Sequence, residues 1–335
     1  MNNLNQFDDI LQKAITARAA LFDNQHQTAF RLFNGFLEGN PDIAVDLYAR
    51  TVIIHNYAEL PSEGETVVHA AKEFLVSEYP WLKAILVKER KGISPKARSG
   101  ILIFGEKPDD RIREHEIWYA LDLLMNRDAS LYLDTRNLRK WAIETLRGKR
   151  VLNTFAYTGS LGVAAAAGGA ERVVQSDLSR KFLKVAKTSY TLNGFPINKK
   201  DFQIGDFWPH INRLKRANER FDCVFLDPPF FASTSKGRVD LAENSARLIN
   251  KVRPLIVDGG HLVAINNALF QRGTDFFHTL EELCKDGYLE IESLIPAPED
   301  FTGYAETRVG VPPVDPAPFN HSTKIAILRV RRKES

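Results

Sequence analysis

The chain has 335 residues, of which 44% are hydrophobic and 26% charged, and its formal net charge is +3. This composition is typical of a globular protein with a large core, and the length predicts two domains or one domain with an appendage. No apolar run approaches the roughly 18 residues that span a bilayer, and the first residues lack a leader pattern, so we expect a cytoplasmic protein without a membrane partner. Two cysteines, Cys223 and Cys284, and eight histidines without ligand spacing predict no metal site.

The basic residues are concentrated in three short runs, at 88–98, 213–216 and 329–333. Runs of this kind can contact phosphate groups, although most of them are simply solvated faces. They therefore permit an RNA partner without requiring one.

The first 126 residues mix helical and strand patterns. Apolar residues recur at helical spacing over 7–23, where Arg18 interrupts the stripe, and again over 67–78. Two β-rich runs within 43–57 are separated near residues 48–50. Further strands are predicted at 84–88, 101–104 and 117–124. Residues 1–126 are therefore predicted to form an α+β region.

From residue 127 to 335 the pattern changes to a second domain. An apolar run and an amphipathic helix over 131–141 precede alternating strands and helices, which predict a parallel α/β sheet with helices on both faces. The last two strands are predicted to form an antiparallel edge. The predicted strands are 150–155, 172–176, 201–205, 222–226, 260–265, 288–294 and 323–330, and the predicted helices are 160–168, 179–193, 207–217, 240–257 and 274–285.

Residues 150–177 have the pattern of a strand, a small-residue turn, an alanine-rich helix and a second strand that ends at Asp177. Asp177 lies about where nucleotide-binding folds place an acid that binds ribose. The turn contains only Gly159, beside the bulky Phe155 and Tyr157, whereas a dinucleotide fingerprint has three glycines. It therefore favours a nucleoside over a diphosphate. An ordinary buried unit with a tight turn remains an alternative.

Two more carboxylates follow predicted strands. Asp206 can accept a hydrogen bond from an adenine amino group or cap the following helix. Asp227 begins the most specific motif of the chain, Asp227-Pro228-Pro229-Phe230-Phe231. A carboxylate, a backbone fixed by two prolines and aromatic rings are suited to hold a planar substrate. The alternative is a proline-rich turn with a capping aspartate.

Together these motifs resemble the class I S-adenosylmethionine-dependent methyltransferases. The narrower resemblance, over residues 116–335 and including Asp134-Thr135-Arg136, is to bacterial 23S rRNA methyltransferases that make 5-methylcytosine or 7-methylguanine. It implies a Rossmann-like seven-stranded sheet and a target-base pocket at Asp227, Pro228, Pro229 and Phe230. The implied S-adenosylmethionine-binding residues are Arg136, Phe155, Tyr157, Thr158, Gly159, Asp177, Leu178, Asp206 and Asp227.

The acceptor base is predicted from the residues after the fifth strand. Cytosine C5 needs covalent activation by a cysteine, and the cytosine-modifying relatives carry one where this chain has Ile265-Asn266-Asn267-Ala268. The asparagine pair resembles the 7-methylguanine branch, so a guanine nitrogen is preferred to cytosine C5. Asn266, Asn267 and Phe231 are predicted to bind the substrate, although asparagine at a strand end is also a common turn residue.

Several alternatives remain open at this stage. Residues 296–319 form either a flap over the target pocket, with Tyr304 or Phe319 at the base, or a passive connection. The family's N-terminal PUA module is not evident. The substrate is either naked 23S rRNA or an assembling large subunit, and the protein is a monomer or a homodimer. A methyltransferase of a protein or small molecule, and a non-catalytic RNA-binding ribosome-assembly protein, are the rival functions.

Overall fold

The computed structural model describes residues 2–234 and 237–332, with side chains described except for residues 2–5, 231–234 and 237–243. The chain forms two compact units. The first comprises Met1–Leu133 and Pro298–Pro312, and the second comprises Asp134–Ala297 and Pro313–Ser335. The division into domains 1–126 and 127–335 stays a prediction; the compact units differ from it in that residues 127–133 and 298–312 belong to the first.

The first unit is built on a five-stranded sheet of order β1-β2-β3-β4-β5, in which only β3 and β4 are parallel. Helices α1 and α3 cover its apolar face, and Phe7, Leu11 and Ile15 of α1 are buried at helical spacing. A separate hairpin is formed by β6 and β7. The elements are α1 Asn2–Ala17, β1 Ala29–Asn34, α2 Gly35–Glu38, β2 Ile43–Tyr48, β3 Thr51–Asn56, α3 Pro61–Glu78, β4 Ala84–Glu89, α4 Pro95–Ser99, β5 Ile101–Gly105, β6 Arg111–Glu114 and β7 Ile117–Ala120.

The second unit contains a seven-stranded sheet of order β10-β9-β8-β11-β14-β16-β15. Its first five strands are parallel, and β16 is antiparallel to both β14 and β15, which confirms the predicted α/β fold with an antiparallel edge. The elements are α5 Arg136–Thr145, β8 Arg150–Thr154, α6 Ser160–Ala167, β9 Arg172–Asp177, α7 Arg180–Leu192, β10 Phe202–Ile204, α8 Phe207–Arg216, β11 Phe221–Leu226, β12 Phe231–Thr234, β13 Gly237–Asp240, α9 Leu241–Val252, β14 Ile256–Asn266, α10 Gly273–Cys284, β15 Leu289–Leu294 and β16 Lys324–Val330.

The core of the second unit follows the two-residue period of its strands. In β11, Val224 and Leu226 pack into one apolar layer, while Cys223 and Phe225 pack into the layer on the opposite face. The alanine-rich α6 lies in that second layer, where its small side chains allow close approach to the sheet. None of the described helices is long and apolar enough to cross a bilayer.

Residues 298–312, which include the short helix α11 Glu299–Thr302, pack against β1 and α2 of the first unit. The buried Asp300 accepts a hydrogen bond from the Arg31 amide at 2.9 Å, and Asn34 donates to the Phe301 carbonyl at 2.6 Å. The Arg18 guanidinium lies 5.0 Å from the centre of the Tyr304 ring. This part of the predicted flap is therefore anchored by internal contacts.

Phe319, the other residue assigned to the flap, lies in the core of the second unit. It packs against Phe276 and Phe277 of α10, with ring centres 5.8 and 6.3 Å apart. The prediction that Phe319 contacts a base is thus not supported, because burial of the ring removes it from the surface.

Candidate functional site

The carboxyl ends of the five parallel strands meet at one edge of the second sheet. Strands β9 and β10 extend the sheet to one side of β8, whereas β11 and β14 extend it to the other. The chain order therefore reverses between β8 and β11. Open α/β sheets bind their ligands outside the carboxyl ends of the strands at such a reversal. The residues that follow these strands form the candidate site.

The turn after β8 has an unusual backbone. Phe155, Tyr157 and Gly159 all have positive φ angles, of 52°, 51° and 79°. Residues other than glycine rarely adopt positive φ angles, so the backbone of the turn is strained and needs support from its surroundings. The Tyr157 amide donates a hydrogen bond of 2.8 Å to Asp177 Oδ2. The carboxylate at the end of β9 therefore helps to fix the turn at the end of β8.

Gly159 lies in a space that admits no side chain. A Cβ atom at this position would be 2.6 Å from the Ala186 Cβ and 2.9 Å from the Gln175 Nε2. Gln175 donates to the Gly159 carbonyl at 3.2 Å and accepts from Asn153 Nδ2 at 2.8 Å. The buried side-chain amides of Asn153 and Gln175, on neighbouring strands, thus support the turn through hydrogen bonds. Asn153 and Gln175 are not among the site residues predicted from the sequence. A polar residue inside each of the two apolar strands β8 and β9 is the sequence signal that could have indicated them.

Asp177 is partly buried and has hydrogen bonds to both carboxylate oxygens. Its Oδ1 accepts from the Ser179 amide at 2.8 Å, in addition to the bond from Tyr157 to Oδ2. Burial raises the pKa of Asp177, and the backbone amides act in the opposite direction. A carboxylate oxygen can accept more than one hydrogen bond, so Asp177 retains capacity for hydroxyl groups of a ligand. The adjacent Leu178 is exposed.

Asp206 follows β10 and caps α8. Its Oδ1 accepts a hydrogen bond from the Trp208 amide at 2.9 Å, which is the helix-cap role that the sequence left as an alternative. The Gly205 amide donates to the Asp177 carbonyl at 3.0 Å, so the ends of β9 and β10 are joined. The predicted contact of Asp206 with adenine stays a prediction.

Asp227 lies at the end of β11, where its pKa is raised to about 7. Burial is the larger cause, and the negative charge of Asp134 adds to it. Asp134 Oδ2 accepts a hydrogen bond of 2.6 Å from Thr323 Oγ1, which fixes the second carboxylate. Two acidic groups thus interact at this edge. Asp134 is not among the site residues predicted from the sequence, because its position beside Asp227 is fixed by a hydrogen bond from Thr323, which is far along the chain.

The residues after Asp227 differ in exposure. Pro228 is buried, whereas Pro229 and Phe230 are exposed, the latter by 49%. Phe231 begins β12, and its side chain lies outside the described side chains. Of the other predicted cofactor residues, Arg136 begins α5 and is partly buried, and Thr158 is buried in the turn after β8.

The turn after β14 contains the predicted asparagine pair. Asn266 is fully buried; its Nδ2 donates to Gln271 Oε1 at 2.9 Å and its Oδ1 accepts from the Ala268 amide at 3.0 Å. The buried Lys324 donates to the Ala268 carbonyl at 2.9 Å. These contacts fix the turn, and Asn267 is the half-exposed member of the pair. A substrate-binding role for either asparagine stays a prediction.

Exposed apolar side chains lie at or just after four of the five strand ends. Phe270, which is 82% exposed, and Leu269 come after β14 and were not predicted from the sequence, although an aromatic residue beside a strand-end turn is a usable signal. Large exposed apolar groups at a polar site can stack against a planar ligand. The group comprises Leu178, Ile204, Phe230, Leu269 and Phe270.

Neither cysteine has the properties of a reactive thiol. Cys223 lies inside β11 and is fully buried, and burial raises the pKa of its thiol above the ordinary range. Cys284 ends α10, and burial raises its pKa as well. A thiolate is the nucleophilic form of cysteine, so both groups are in the inert state at neutral pH. Among the described residues, no cluster of histidine, cysteine, aspartate or glutamate is arranged to hold a metal ion.

Comparisons with known proteins agree with this geometry. Residues 100–316 match the sequence profile of the S-adenosylmethionine-dependent methyltransferases. YwbD of Bacillus subtilis is 31% identical over 302 residues, which cover 87% of this chain and 74% of YwbD. Ribosomal RNA large subunit methyltransferase I of Photobacterium profundum is 31% identical over 285 residues, which cover 81% of this chain and 70% of the relative.

The fold is also found in solved structures. The structure of SMU.776 complexed with SAH superposes with a TM-score of 0.84 at 22% identity, covering 98% of this chain and 82% of the other. At this identity the likeness concerns the fold alone. Together, the profile match and the two sequence relatives confirm the resemblance predicted from the motifs: the chain belongs to the family of S-adenosylmethionine-dependent methyltransferases.

Proposed function

We propose that this protein methylates a guanine nitrogen of 23S rRNA. The observation that carries the proposal is the pair of acidic groups at the end of β11, where Asp227 and Asp134 interact and neither cysteine has a reactive thiol. An RNA substrate is supported by the relative from Photobacterium profundum, whose name assigns it to the RNA of the large ribosomal subunit.

The turn after β8 and the acids after β9 and β10 are the proposed cofactor residues. S-adenosylmethionine, when bound, supplies an electrophilic methyl group on a sulfonium sulfur. Asp177 is suited to accept hydrogen bonds from ribose hydroxyls because its carboxylate is partly exposed at a strand end. Gly159 lets the turn pack closely against Ala186 and Gln175. One glycine is too few for the amide cradle that a diphosphate needs.

The ionised carboxylate of Asp227 fits guanine better than cytosine. The N1–H and N2 amino group of guanine are two donors on one edge, and a single carboxylate can accept from both. The corresponding edge of cytosine places the acceptor N3 beside its amino donor, and a carboxylate would repel N3. Methylation at guanine N7 also creates positive charge on the base. Asp227 and Asp134 would stabilise that charge as it develops.

The state of the cysteines supports the same choice. Attack on cytosine C5 requires a thiolate that adds to the base and then leaves. Cys223 is enclosed in the strand that precedes Asp227, and its raised pKa disfavours the thiolate. Guanine N7 carries an unprotonated lone pair and needs no covalent adduct.

The test is the position of the methyl group. Ribosomal RNA from a strain that lacks the gene should be incubated with the protein and labelled S-adenosylmethionine, digested to nucleosides and separated. We expect the label on a guanine nitrogen. The double variant Cys223→Ala/Cys284→Ala should incorporate label as the wild type does, whereas Asp227→Ala should lose most of it. Label on cytosine C5, or loss of activity in the cysteine-free variant, would overturn the choice of base.

A further inference from the structure

We infer that the first unit binds single-stranded RNA on a surface formed by Phe36, Tyr57, Arg90, Arg98 and Arg127, which we call the arginine–aromatic surface. The inference rests on the proposed function, since it takes RNA as the substrate. It assigns RNA docking to residues outside the methyl-transfer site.

The aromatic part of this surface is an edge-to-face ring pair. Phe36, in α2, is 42% exposed, and its ring centre lies 4.9 Å from that of Tyr57 at an angle of 77°. The Arg90 guanidinium lies 5.6 Å from the centre of the Tyr57 ring. Exposed aromatic rings and guanidinium planes are the groups on which proteins stack unpaired bases.

The charged part consists of three arginines that repel one another. Partial burial and the positive charges of Arg90 and Arg98 lower the pKa of Arg127, while the negative charge of Asp128 acts in the opposite direction. Arg98 and Arg127 lie largely at the surface, and neither forms an ion pair within the described part of the chain. Arg90 lies 3.5 Å from Asp128. A phosphate group would relieve this repulsion, because its negative charge can be shared by neighbouring guanidiniums.

Buried hydrogen bonds fix the positions of these arginines. Lys88 is fully buried in β4, and its Nζ donates to the carbonyls of Ser99, Asn126 and Asp128 at 2.8, 2.7 and 3.1 Å. One ammonium group therefore ties the segment after Arg98 to the residues on either side of Arg127. Burial lowers the pKa of Lys88 to about 8, so it remains mainly protonated at neutral pH.

Two further contacts hold the guanidinium groups themselves. Arg90 Nη1 donates to the Arg127 carbonyl at 2.8 Å, and Arg98 Nε donates to the Gly92 carbonyl at 2.6 Å. These bonds use only part of each guanidinium, which has five N–H donors. Donors are thus left for phosphate oxygens, and Arg90 and Arg98 lose little side-chain entropy when RNA binds.

The test compares charge reversals of equal size in the full-length protein. Arg98→Glu/Arg127→Glu changes the surface, and Lys13→Glu/Lys107→Glu is the matched control at exposed lysines on α1 and after β5. Binding of a fluorescent 20-nucleotide poly(U) strand is measured by anisotropy at several salt concentrations. We expect the first variant to lose about tenfold or more in affinity, and its salt slope to fall by about 1.4 if two phosphate contacts are lost. The control should lose less than about twofold.

A third variant separates stacking from charge. Phe36→Ala should weaken binding of the RNA strand without changing the salt slope, because the ring carries no charge. All variants should retain the thermal melting temperature and the S-adenosylmethionine affinity of the wild type, which shows that a loss of RNA binding is not a loss of fold.

The outcomes separate this inference from the proposed function. If the wild type neither binds nor methylates RNA, both fail. If the wild type methylates RNA and Arg98→Glu/Arg127→Glu binds the strand as the control does, the arginine–aromatic surface is refuted and the proposed function stands. Loss of binding to anionic phosphatidylserine vesicles, with RNA binding unchanged, would instead identify a membrane contact and overturn the inference.

Discussion

Replacement of Asp134 by asparagine should lower the pKa of Asp227. Asparagine retains an oxygen that can accept the hydrogen bond from Thr323 but removes the negative charge. The pKa of Asp227 lies about 3 pH units above its ordinary value of 3.8, and burial is the larger of the two causes. Asp134 therefore accounts for less than half of that rise, and its removal should lower the pKa by about 1 pH unit, to about 6.

The expected kinetic effect follows from the fraction of ionised Asp227. If the ionised form accepts hydrogen bonds from guanine, the rate of methyl transfer rises with pH and reaches half its maximum near pH 7 in the wild type. In Asp134→Asn the same limb should have its midpoint near pH 6. The variant should therefore be about fivefold faster at pH 6 and less than about twofold faster at pH 7. Single-turnover methylation of RNA between pH 5 and 9 measures this.

Carboxyl carbon NMR of Asp227 gives the pKa directly and does not depend on activity. Asp286→Asn removes the same charge from an exposed position between α10 and β15 and should leave the titration unchanged. A midpoint for Asp227 in Asp134→Asn that equals or exceeds that of the wild type would refute the electrostatic coupling of the two acids.

Three other predictions concern single side chains. Because the pKa of Asp227 is higher in the folded protein than its ordinary value, the wild type should lose stability as the pH rises from about 4 to 7. Asp227→Asn should avoid this loss. In urea titrations, the free energy of unfolding of the variant should exceed that of the wild type by an amount that grows to at most about 4 kcal/mol above pH 7. Gly159→Ala should destabilise the protein by more than Gly148→Ala and weaken S-adenosylmethionine binding, because both glycines have positive φ but only Gly159 lacks space for a Cβ; equal effects in calorimetry would contradict this. Phe270→Ala should raise the KM for RNA several-fold with little change in kcat if the exposed ring stacks on RNA, and an unchanged KM would exclude that role.

The second unit could be predicted from the sequence almost element by element. Its strands and helices alternate with clear periodicity, and each predicted strand is present within a few residues of its predicted bounds. The helix predicted at 240–257 instead ends at Val252. A short turn at Arg253–Leu255 follows, because Pro254 lacks the amide that a continuing helix needs, and β14 then begins at Ile256.

The first unit was harder to predict because its exceptions depend on tertiary contacts. Arg18, which interrupts the apolar stripe of the first helix, is buried in an ion pair with Glu38 at 2.9 Å. Strand β1 was not predicted, since its central Arg31 is paired with Asp46 only after the sheet forms. The β6–β7 hairpin turns at His115 and Glu116, both with positive φ, without the glycine or asparagine that usually indicates such a turn.

At the candidate site, the residues that follow strand ends could be predicted, and their supporting partners could not. Asp177, Asp206 and Asp227 are all at carboxyl ends of parallel strands, where the alternating pattern places them. The bond between Thr323 and Asp134 joins residues that are distant in sequence, and no local pattern indicates it. The same limit applies to residues 298–312, whose packing on β1 depends on the Asp300 carboxylate.

The central claim, that the strand-end carboxylates of the second unit form the S-adenosylmethionine site, is tested most directly by calorimetric titration of the cofactor into the wild type and Asp177→Ala. The wild type should bind with one site per chain, and Asp177→Ala should lose at least about tenfold in affinity, in keeping with the loss of hydrogen bonds to a charged group. Asp286→Ala is the matched control and should bind as the wild type does. Equal affinity in Asp177→Ala and the wild type, or no binding by the wild type, would contradict the account.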